Sequence, residues 1–325
     1  MTMPINRNIA TLSKHATFMH EFGQNFITAL PRHIANLKIP GRRITKDSRS
    51  TPTPAQIEQV ESLQKTLQKV LDHPITQSAQ LAAEATFLAF NAKTTADTNV
   101  LKFLNGWSET HKTTSLVSGK ATLRLAADII WVQPEKRPGY MNVLAHLHEV
   151  IKDDFGLGQQ GHDGMYCYMT AALGADGWMD EKYSVTECKE FSKFLYNTGL
   201  QHHRAPIQSP EYTQSLMDAM TVSIASELWN GREYNFLSQF IEAKLLACNN
   251  FLKTEPESLR NAKGYVTAHS GEIENRHGLH ALAAAQAFGR TTGIPFDTKR
   301  LEIIMLNYNE KVGDAFRALH RALTE

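Results

Sequence analysis

The chain has 325 residues, a length that allows one large domain or one domain with an extension. Hydrophobic residues make up 42% of the sequence and charged residues 21%, which predicts a globular protein with a substantial core. Lys and Arg (34) balance Asp and Glu (33), so the chain lacks the positive field by which proteins attract nucleic acid. We therefore expect no nucleic-acid partner.

The three cysteines of the chain are widely spaced and form neither a disulfide framework nor a CxxC zinc motif. This usage fits a reducing compartment. The first residues contain no apolar signal region, and no run of about 18 apolar residues follows. We therefore expect a cytoplasmic protein that does not contact a membrane.

Helical periodicity dominates the sequence, and the alternation typical of strands is nearly absent. A short amphipathic segment rich in Phe precedes a stretch at 38–56 that is rich in Pro, Ser, Thr and basic residues, as linkers are. Thr53 and Pro54 then provide the N-cap and the first helical position of a helix predicted over 53–71.

Later helix boundaries are marked by acidic, hydroxyl and glycine residues. One helix is expected to end at Asp154, before a glycine-rich stretch, and His162 opens the next helix. Ser209 is the predicted N-cap of a long helix, and the last helix is expected to begin near Thr298. Together these segments predict an all-α fold.

The predicted helices fall into two parts of unequal length along the chain. Residues 111–325 are expected to form a compact helical domain. Residues 1–110, which include the linker at 38–56, are expected to form a helical extension that packs on this domain or joins it to a partner.

The segment 265–286 concentrates residue types that bind metals in helical proteins. Glu274 and His277 form an ExxH pair, which places two ligands on adjacent turns of one helix face, as in helical di-iron proteins. Imidazole and carboxylate ligands together suit iron or manganese. His269 lies off this face, and we expect a π-bulge to bring it back, since Gly271 makes a local distortion cheap.

Alternatives stay open for this segment. Glu272 or His280 replaces Glu274 or His269 as a ligand if the register of the helix differs. The same side chains can instead form a solvated surface with salt bridges. However, small apolar residues follow at 281–285 and indicate burial. Burial of an unpaired polar group costs roughly 2–7 kcal/mol, a cost that a shared cation removes.

Two more segments supply candidate ligands. Asp154 and His162 flank the glycine-rich stretch, where helix capping is the simpler explanation. An acidic residue at a helix C-terminus is electrostatically unfavourable, however, and a metal ion would offset this. Glu227 follows an apolar run, and a position at the edge of the apolar stripe is the alternative to a ligand role.

The order of these motifs resembles a known superfamily. An acidic pair with Phe-Gly-Leu-Gly and a histidine, then a lone helical Glu, then a His/Glu/His helix is similar to the haem-oxygenase-like di-iron oxidases and oxygenases. These include alkene-forming fatty-acid decarboxylases, amine N-oxygenases and the chlamydial para-aminobenzoate-forming protein. The resemblance covers residues 115–325 and implies six metal ligands: Asp154, His162, Glu227, His269, Glu274 and His277.

The resemblance also implies a fold and an activity. The fold would be a haem-oxygenase-like helical bundle with its metal site in the core. The activity would be that of a non-haem di-iron oxidoreductase with two Fe(II) ions as cofactor and O₂ as co-substrate. Its substrate would be a small carboxylate, an amino acid or fatty acid, altered by hydrogen abstraction, C–C cleavage or N-oxygenation. Arg276 or Lys244 could hold that carboxylate, and an electron donor and a homodimer partner fit this activity.

Two other functional classes remain open. The same bundle hosts metal-free enzymes, thiaminase-like hydrolases and a cofactor-biosynthetic enzyme, for which Cys167 is the candidate nucleophile. A helical interaction protein is the second alternative, with residues 1–110 as the part that binds a partner.

Overall fold

The computed structural model describes residues 17–41, 51–154, 161–200 and 205–325. Thirteen α-helices and two strands of two residues each form this part of the chain, which confirms the all-α class. The helices are α1 Phe18–Thr28, α2 Leu30–Asn36, α3 Val60–Asp72, α4 Pro74–Ala92, α5 Thr98–Asp128, α6 Arg137–Asp154, α7 His162–Ala172, α8 Thr186–Leu200, α9 Pro210–Leu237, α10 Ile241–Cys248, α11 Pro256–Thr267, α12 Ile273–Thr292 and α13 Thr298–Thr324.

The two strands correct one boundary predicted from the sequence. β1 Lys38–Ile39 and β2 Thr53–Pro54 pair in antiparallel fashion, so the helix expected to begin at Thr53 begins only at Val60. The backbone continues β2 through a hydrogen bond from Ala55 N–H to the Leu37 carbonyl. Pro54 therefore occupies a strand edge, where its missing N–H costs nothing. Positions 42–50 of the predicted linker lie outside the described residues.

The other helix boundaries agree with the sequence. α6 ends at Asp154, α7 begins at His162 and α13 begins at Thr298. At the start of α9, the Ser209 hydroxyl accepts a hydrogen bond from Tyr212 N–H at 3.2 Å, as an N-cap does. The predicted boundary between residues 110 and 111 falls inside α5, which is continuous from Thr98 to Asp128.

The long helix α9 lies at the centre of the described fold. Its side chains are buried along almost its whole length, and it packs against α1, α5, α8, α12 and α13. α12 lies between α9 and α6, while α13 packs on α4 and α5. Buried residues from α1 through α13 belong to one continuous hydrophobic core. Across the described ranges, every helix is too short or too polar to cross a lipid bilayer.

Candidate metal centre

Two carboxylates and one imidazole meet inside the core between α9 and α12. Glu227 from α9 and Glu274 and His277 from α12 each offer a ligand atom, and these atoms lie within 4.8 Å of one another. His277 Nδ1 is 3.7 Å from Glu227 Oε2 and 3.6 Å from Glu274 Oε2. All three side chains are at most 5% exposed. These three side chains thus converge on one buried point.

Close packing of the two helices produces this arrangement. A Cβ atom at Gly278 would lie 2.9 Å from Leu228 Cδ2, and one at Gly231 would lie 3.3 Å from Glu274 Cβ. Glycine at both positions therefore lets α9 and α12 approach closely enough for Glu227 to reach the ExxH face. The two acidic residues come from different helices and share one small volume.

The electrostatics of the centre favour a cation. Burial, followed by the negative charge of Glu274, raises the pKa of Glu227 well above its usual range, and the His277 imidazole partly offsets this rise. Two buried carboxylates side by side repel each other, and a bound cation removes that repulsion. Carboxylate and imidazole are also the ligand types that iron and manganese accept.

His269 reaches the centre, but the predicted π-bulge is wrong. α11 ends at Thr267 and α12 begins at Ile273, and the turn between them contains Gly271 with a φ of +77°. This left-handed conformation is natural for glycine, so the chain turns there instead of continuing as one distorted helix. His269 Nδ1 consequently lies 2.7 Å from Glu274 Oε1.

Asn235 of α9 holds this turn in place. Its Oδ1 accepts a hydrogen bond from Gly271 N–H at 2.8 Å, and its Nδ2 donates to the Gly271 carbonyl at 3.0 Å. The same amide nitrogen also donates to the Gly231 carbonyl at 2.6 Å. Asn235 thereby couples the position of His269 to the helix that carries Glu227.

Glu272 and His280, the alternative ligands in the segment 265–286, differ in burial. Glu272 is exposed, and its carboxylate lies 3.7 Å from the imidazole of His33. His280 is buried, but its Nδ1 faces Nδ1 of His146 on α6 at 3.0 Å. Neither belongs to the group of three residues whose ligand atoms converge.

The remaining two ligands implied by the resemblance come from the same part of the chain. Asp154 is the last residue of α6 and His162 is the first residue of α7. Both side chains lie outside the described part of the structure. Their assignment stays a prediction.

A chain of buried polar aromatic residues adjoins His269, and sequence reasoning missed it. The ring centroid of Tyr234 lies 4.9 Å from that of His269. Tyr234 donates its hydroxyl hydrogen bond to the Tyr265 hydroxyl at 2.9 Å, which lies 3.3 Å from His111 Nδ1. His111 Nε2 is 3.1 Å from Glu233 Oε1. The continuous contacts therefore lead from the candidate metal centre to a buried carboxylate.

Two indoles hold that carboxylate. Trp107 Nε1 donates to Glu233 Oε1 at 2.5 Å, and Trp229 Nε1 donates to Oε2 at 2.6 Å. Trp107 lies on α5, whereas Trp229 and Glu233 lie on α9. Trp107 and Glu233 are therefore 126 positions apart in the sequence. In the sequence, Glu233 stands among other polar residues, Asn230, Arg232 and Asn235, so the local pattern does not indicate its burial.

The residues expected to bind substrate or act as a nucleophile lie elsewhere. Lys244 is buried, and its ammonium donates to the carbonyls of Phe90 and Lys93, which gives it a structural role. Arg276 is exposed on α12. Cys167 is exposed on α7.

No protein-family model, no curated protein and no solved structure matches this chain. Any functional conclusion therefore depends on its own residues and their geometry.

Proposed function

We propose that this protein is a non-haem di-iron oxidase or oxygenase that uses O₂ to oxidise a small carboxylate-bearing substrate. The proposal depends on one observation. Glu227, Glu274 and His277 are buried together, and their ligand atoms lie within 4.8 Å of one another. Helical di-iron proteins use carboxylates from two helices together with an ExxH pair. Here Glu227 is the lone carboxylate and Glu274 with His277 is the pair.

The residues present fit iron. Glu227 and Glu274 are hard oxygen ligands that suit an oxidised ion, while the imidazole of His277 also suits the ferrous state. His269, at 2.7 Å from Glu274, either binds iron itself or orients that carboxylate. The resemblance to haem-oxygenase-like enzymes adds Asp154 and His162. Two Fe(II) ions in this site would supply electrons to O₂.

The protein around the site has two tasks in such a reaction. The first is to exclude water, and apolar residues of both helices, Leu228 beside Glu227 and the Ala281–Ala285 stretch after the ExxH pair, are buried. Exclusion of water strengthens electrostatic interactions in the site and suppresses side reactions. An amino acid or fatty acid fits a site of this polarity, with hydrogen abstraction, C–C cleavage or N-oxygenation as outcomes.

The second task is the movement of protons. Reduction of O₂ takes up protons as well as electrons, so a buried site requires a route by which protons reach it. The hydroxyls of Tyr234 and Tyr265 lead to His111 Nδ1, and His111 Nε2 faces the carboxylate of Glu233. These contacts form a continuous polar route between the ring of Tyr234 and the carboxylate of Glu233.

Metal analysis tests the proposal directly. The full-length protein is loaded with ⁵⁷Fe(II) without oxygen, desalted, and analysed for iron content and by Mössbauer spectroscopy. About two irons per chain with high-spin ferrous signals are expected for a di-iron carboxylate site. O₂ is then added with panels of amino acids and fatty acids, and substrate-dependent O₂ consumption is expected with one panel only.

Other outcomes separate the remaining classes. No bound iron, combined with hydrolysis that requires Cys167, would favour a metal-free enzyme of the same fold. No iron and no turnover, combined with a partner that binds residues 1–110, would favour an interaction protein. Either result would overturn the di-iron proposal.

A further inference from the structure

Arg232 is a buried cation for which the described part of the chain offers no carboxylate partner. It lies on α9 with 5% of its surface exposed. Its Nε–H donates to the Leu228 carbonyl of the same helix at 2.9 Å, and its guanidinium lies 5.3 Å from the centroid of the Trp229 ring. Arg300, by contrast, forms an ion pair with Asp218. Burial lowers the pKa of Arg232 to about 10, so the side chain is still charged at neutral pH.

An apolar cavity lies beside this guanidinium. Its volume of about 30 Å³ exceeds the roughly 10–15 Å³ that one water molecule requires. Phe26 of α1, Leu71 of α3 and Met305 of α13 line it, together with Leu228 and Arg232 of α9. Such apolar walls give little solvation to the positive charge.

A second polar group lines the same cavity. The side chain of Asn275 on α12 is 3% exposed, and its Nδ2 is a buried donor with no hydrogen-bond partner among the described residues. An unsatisfied buried donor costs about 1–3 kcal/mol. Arg232 and Asn275 thus both offer hydrogen-bond donors, and the other lining side chains offer no acceptor.

We propose that this cavity binds a small monovalent anion, in the form of a carboxylate group or chloride, held by Arg232 and Asn275. A planar guanidinium suits a carboxylate, whose two oxygens can accept parallel hydrogen bonds. The cavity has two to three times the volume that one water molecule requires, which suits a small monovalent anion such as formate, acetate or chloride better than the larger, strongly hydrated sulfate.

The anion site is distinct from the metal centre. Arg232 follows Glu227 by five positions and Asn275 follows Glu274 by one, so each points about 100–140° around its helix from the neighbouring carboxylate. The cavity instead faces α1 and α3. An anion bound there ties these N-terminal helices to α9 and α12, which carry the metal ligands.

Thermal unfolding of the metal-free, full-length protein tests this site independently of iron. The protein is transferred to a chloride-free sulfate buffer, and sodium chloride, formate or acetate is added at constant ionic strength. A rise in Tm of about 2–5 °C that grows with the logarithm of the anion concentration is expected, since a ligand that binds only the folded state stabilises it in this way. A larger rise with formate or acetate than with chloride at equal concentration identifies the carboxylate, and a larger rise with chloride identifies the halide.

The variant Arg232→Met decides whether the effect belongs to this cavity. It should lose the dependence of Tm on the anion, and its Tm in sulfate should equal or exceed that of the wild type, because an uncompensated buried charge is gone. Arg260→Met, which alters an exposed arginine on α11, should keep the full anion response. A wild-type Tm that is the same in every salt, or a response retained by Arg232→Met, would overturn the proposal.

Asn275→Ala provides a second variant that stays informative if Arg232→Met does not fold. Loss of the Nδ2 donor should raise the anion concentration needed for a given rise in Tm about tenfold, the effect of one hydrogen bond of about 1.4 kcal/mol. The wild-type dependence of Tm on anion concentration would contradict the assignment.

Discussion

Two buried histidines on α12 have opposite surroundings. His277 faces the carboxylates of Glu227 and Glu274, whereas His280 faces the imidazole of His146 at 3.0 Å. Burial, followed by neighbouring positive groups, lowers the pKa of His280 to about 3, and burial lowers that of His146 to about 4. The two histidines are similarly buried, but carboxylates beside His277 attract a cation, whereas a second imidazole faces His280.

The largest expected difference is in metal binding. His277→Ala should lose most of the iron, because it removes a ligand between two carboxylates. His280→Ala removes a histidine of equal size and burial from the same helix, and should keep the wild-type iron content. Iron per chain after anaerobic loading and desalting measures both, with circular dichroism to confirm folding.

Loss of iron in His280→Ala with retention in His277→Ala would reverse the comparison and place His280 in the ligand set. His269→Ala belongs to the same experiment, because the sequence predicts it as a ligand. Loss of about one iron per chain is expected if His269 binds metal, as the ligand counts of di-iron bundles imply. A full complement would limit His269 to orienting Glu274.

The second prediction concerns Glu227, one of the two carboxylates that face His277, in the metal-free protein. The folded-state pKa of Glu227 is raised, so the stability that it contributes is present below about pH 4.3, its unfolded value, and is lost as the pH rises through the folded value. Glu227→Gln cannot ionise. It should therefore be more stable than the wild type at pH 9, on the order of 2–4 kcal/mol, and should fail to bind iron.

Urea unfolding between pH 4 and pH 9 in the presence of a chelator measures this difference. Asp314→Asn, which alters an exposed carboxylate on α13, is the control, and its stability should follow that of the wild type across the range. Parallel pH profiles for Glu227→Gln and the wild type would mean that Glu227 is not destabilised by burial.

The third prediction concerns the pair of imidazoles. The folded-state pKa values of His146 and His280 lie below the ordinary value of about 6.5, so the unfolded chain takes up protons first as the pH falls. Stability should therefore decrease from about pH 6.5 towards pH 4, by up to about 1.4 kcal/mol per pH unit for each histidine.

The double variant His146→Phe/His280→Leu isolates this effect, because replacement of one member alone would leave the other without its partner. The difference in unfolding free energy between wild type and double variant should change across this acid range and stay constant above pH 7.5. A difference that is the same at pH 5 and pH 8 would contradict the assigned pKa shifts.

The candidate metal centre was partly predictable from the sequence because its candidate ligand pair is local. Glu274 and His277 lie one turn apart, and that spacing alone places them on one face of α12. The turn that brings His269 back towards the centre was not predicted, because a single helical period assumes one continuous helix across Gly271. The start of α3 was missed because Thr53 and Pro54 suit a helix locally, while β1 pairs with them in the fold.

The contacts around Glu233 could not be predicted, because they depend on how three helices pack. Trp107 comes from α5, Tyr265 from α11 and Glu233 from α9, and each of these residue types is ordinary in a core helix. The His146–His280 pair is hidden for the same reason, since its two members lie 134 positions apart. Helical periodicity indicates which face of a helix is buried, but not which helix covers it.

The smallest expected effect belongs to Asn235, which acts on the centre only through the turn before α12. Its side chain makes two hydrogen bonds to the backbone of Gly271 and so fixes His269 beside Glu274. Asn235→Ala should cost about 1–3 kcal/mol of unfolding free energy, because buried backbone groups lose their partners. Iron affinity should fall about tenfold, as for other residues that orient ligands, with stoichiometry preserved at saturation.

Competition with a chromophoric chelator measures the affinity. Ser238→Ala, one turn along the same helix, is the matched control, since its hydroxyl bonds only within α9, to the Asn235 carbonyl. An unchanged affinity in Asn235→Ala would show that the position of His269 does not matter for the metal. The difference in metal binding between His277 and His280 would then depend on the carboxylates alone.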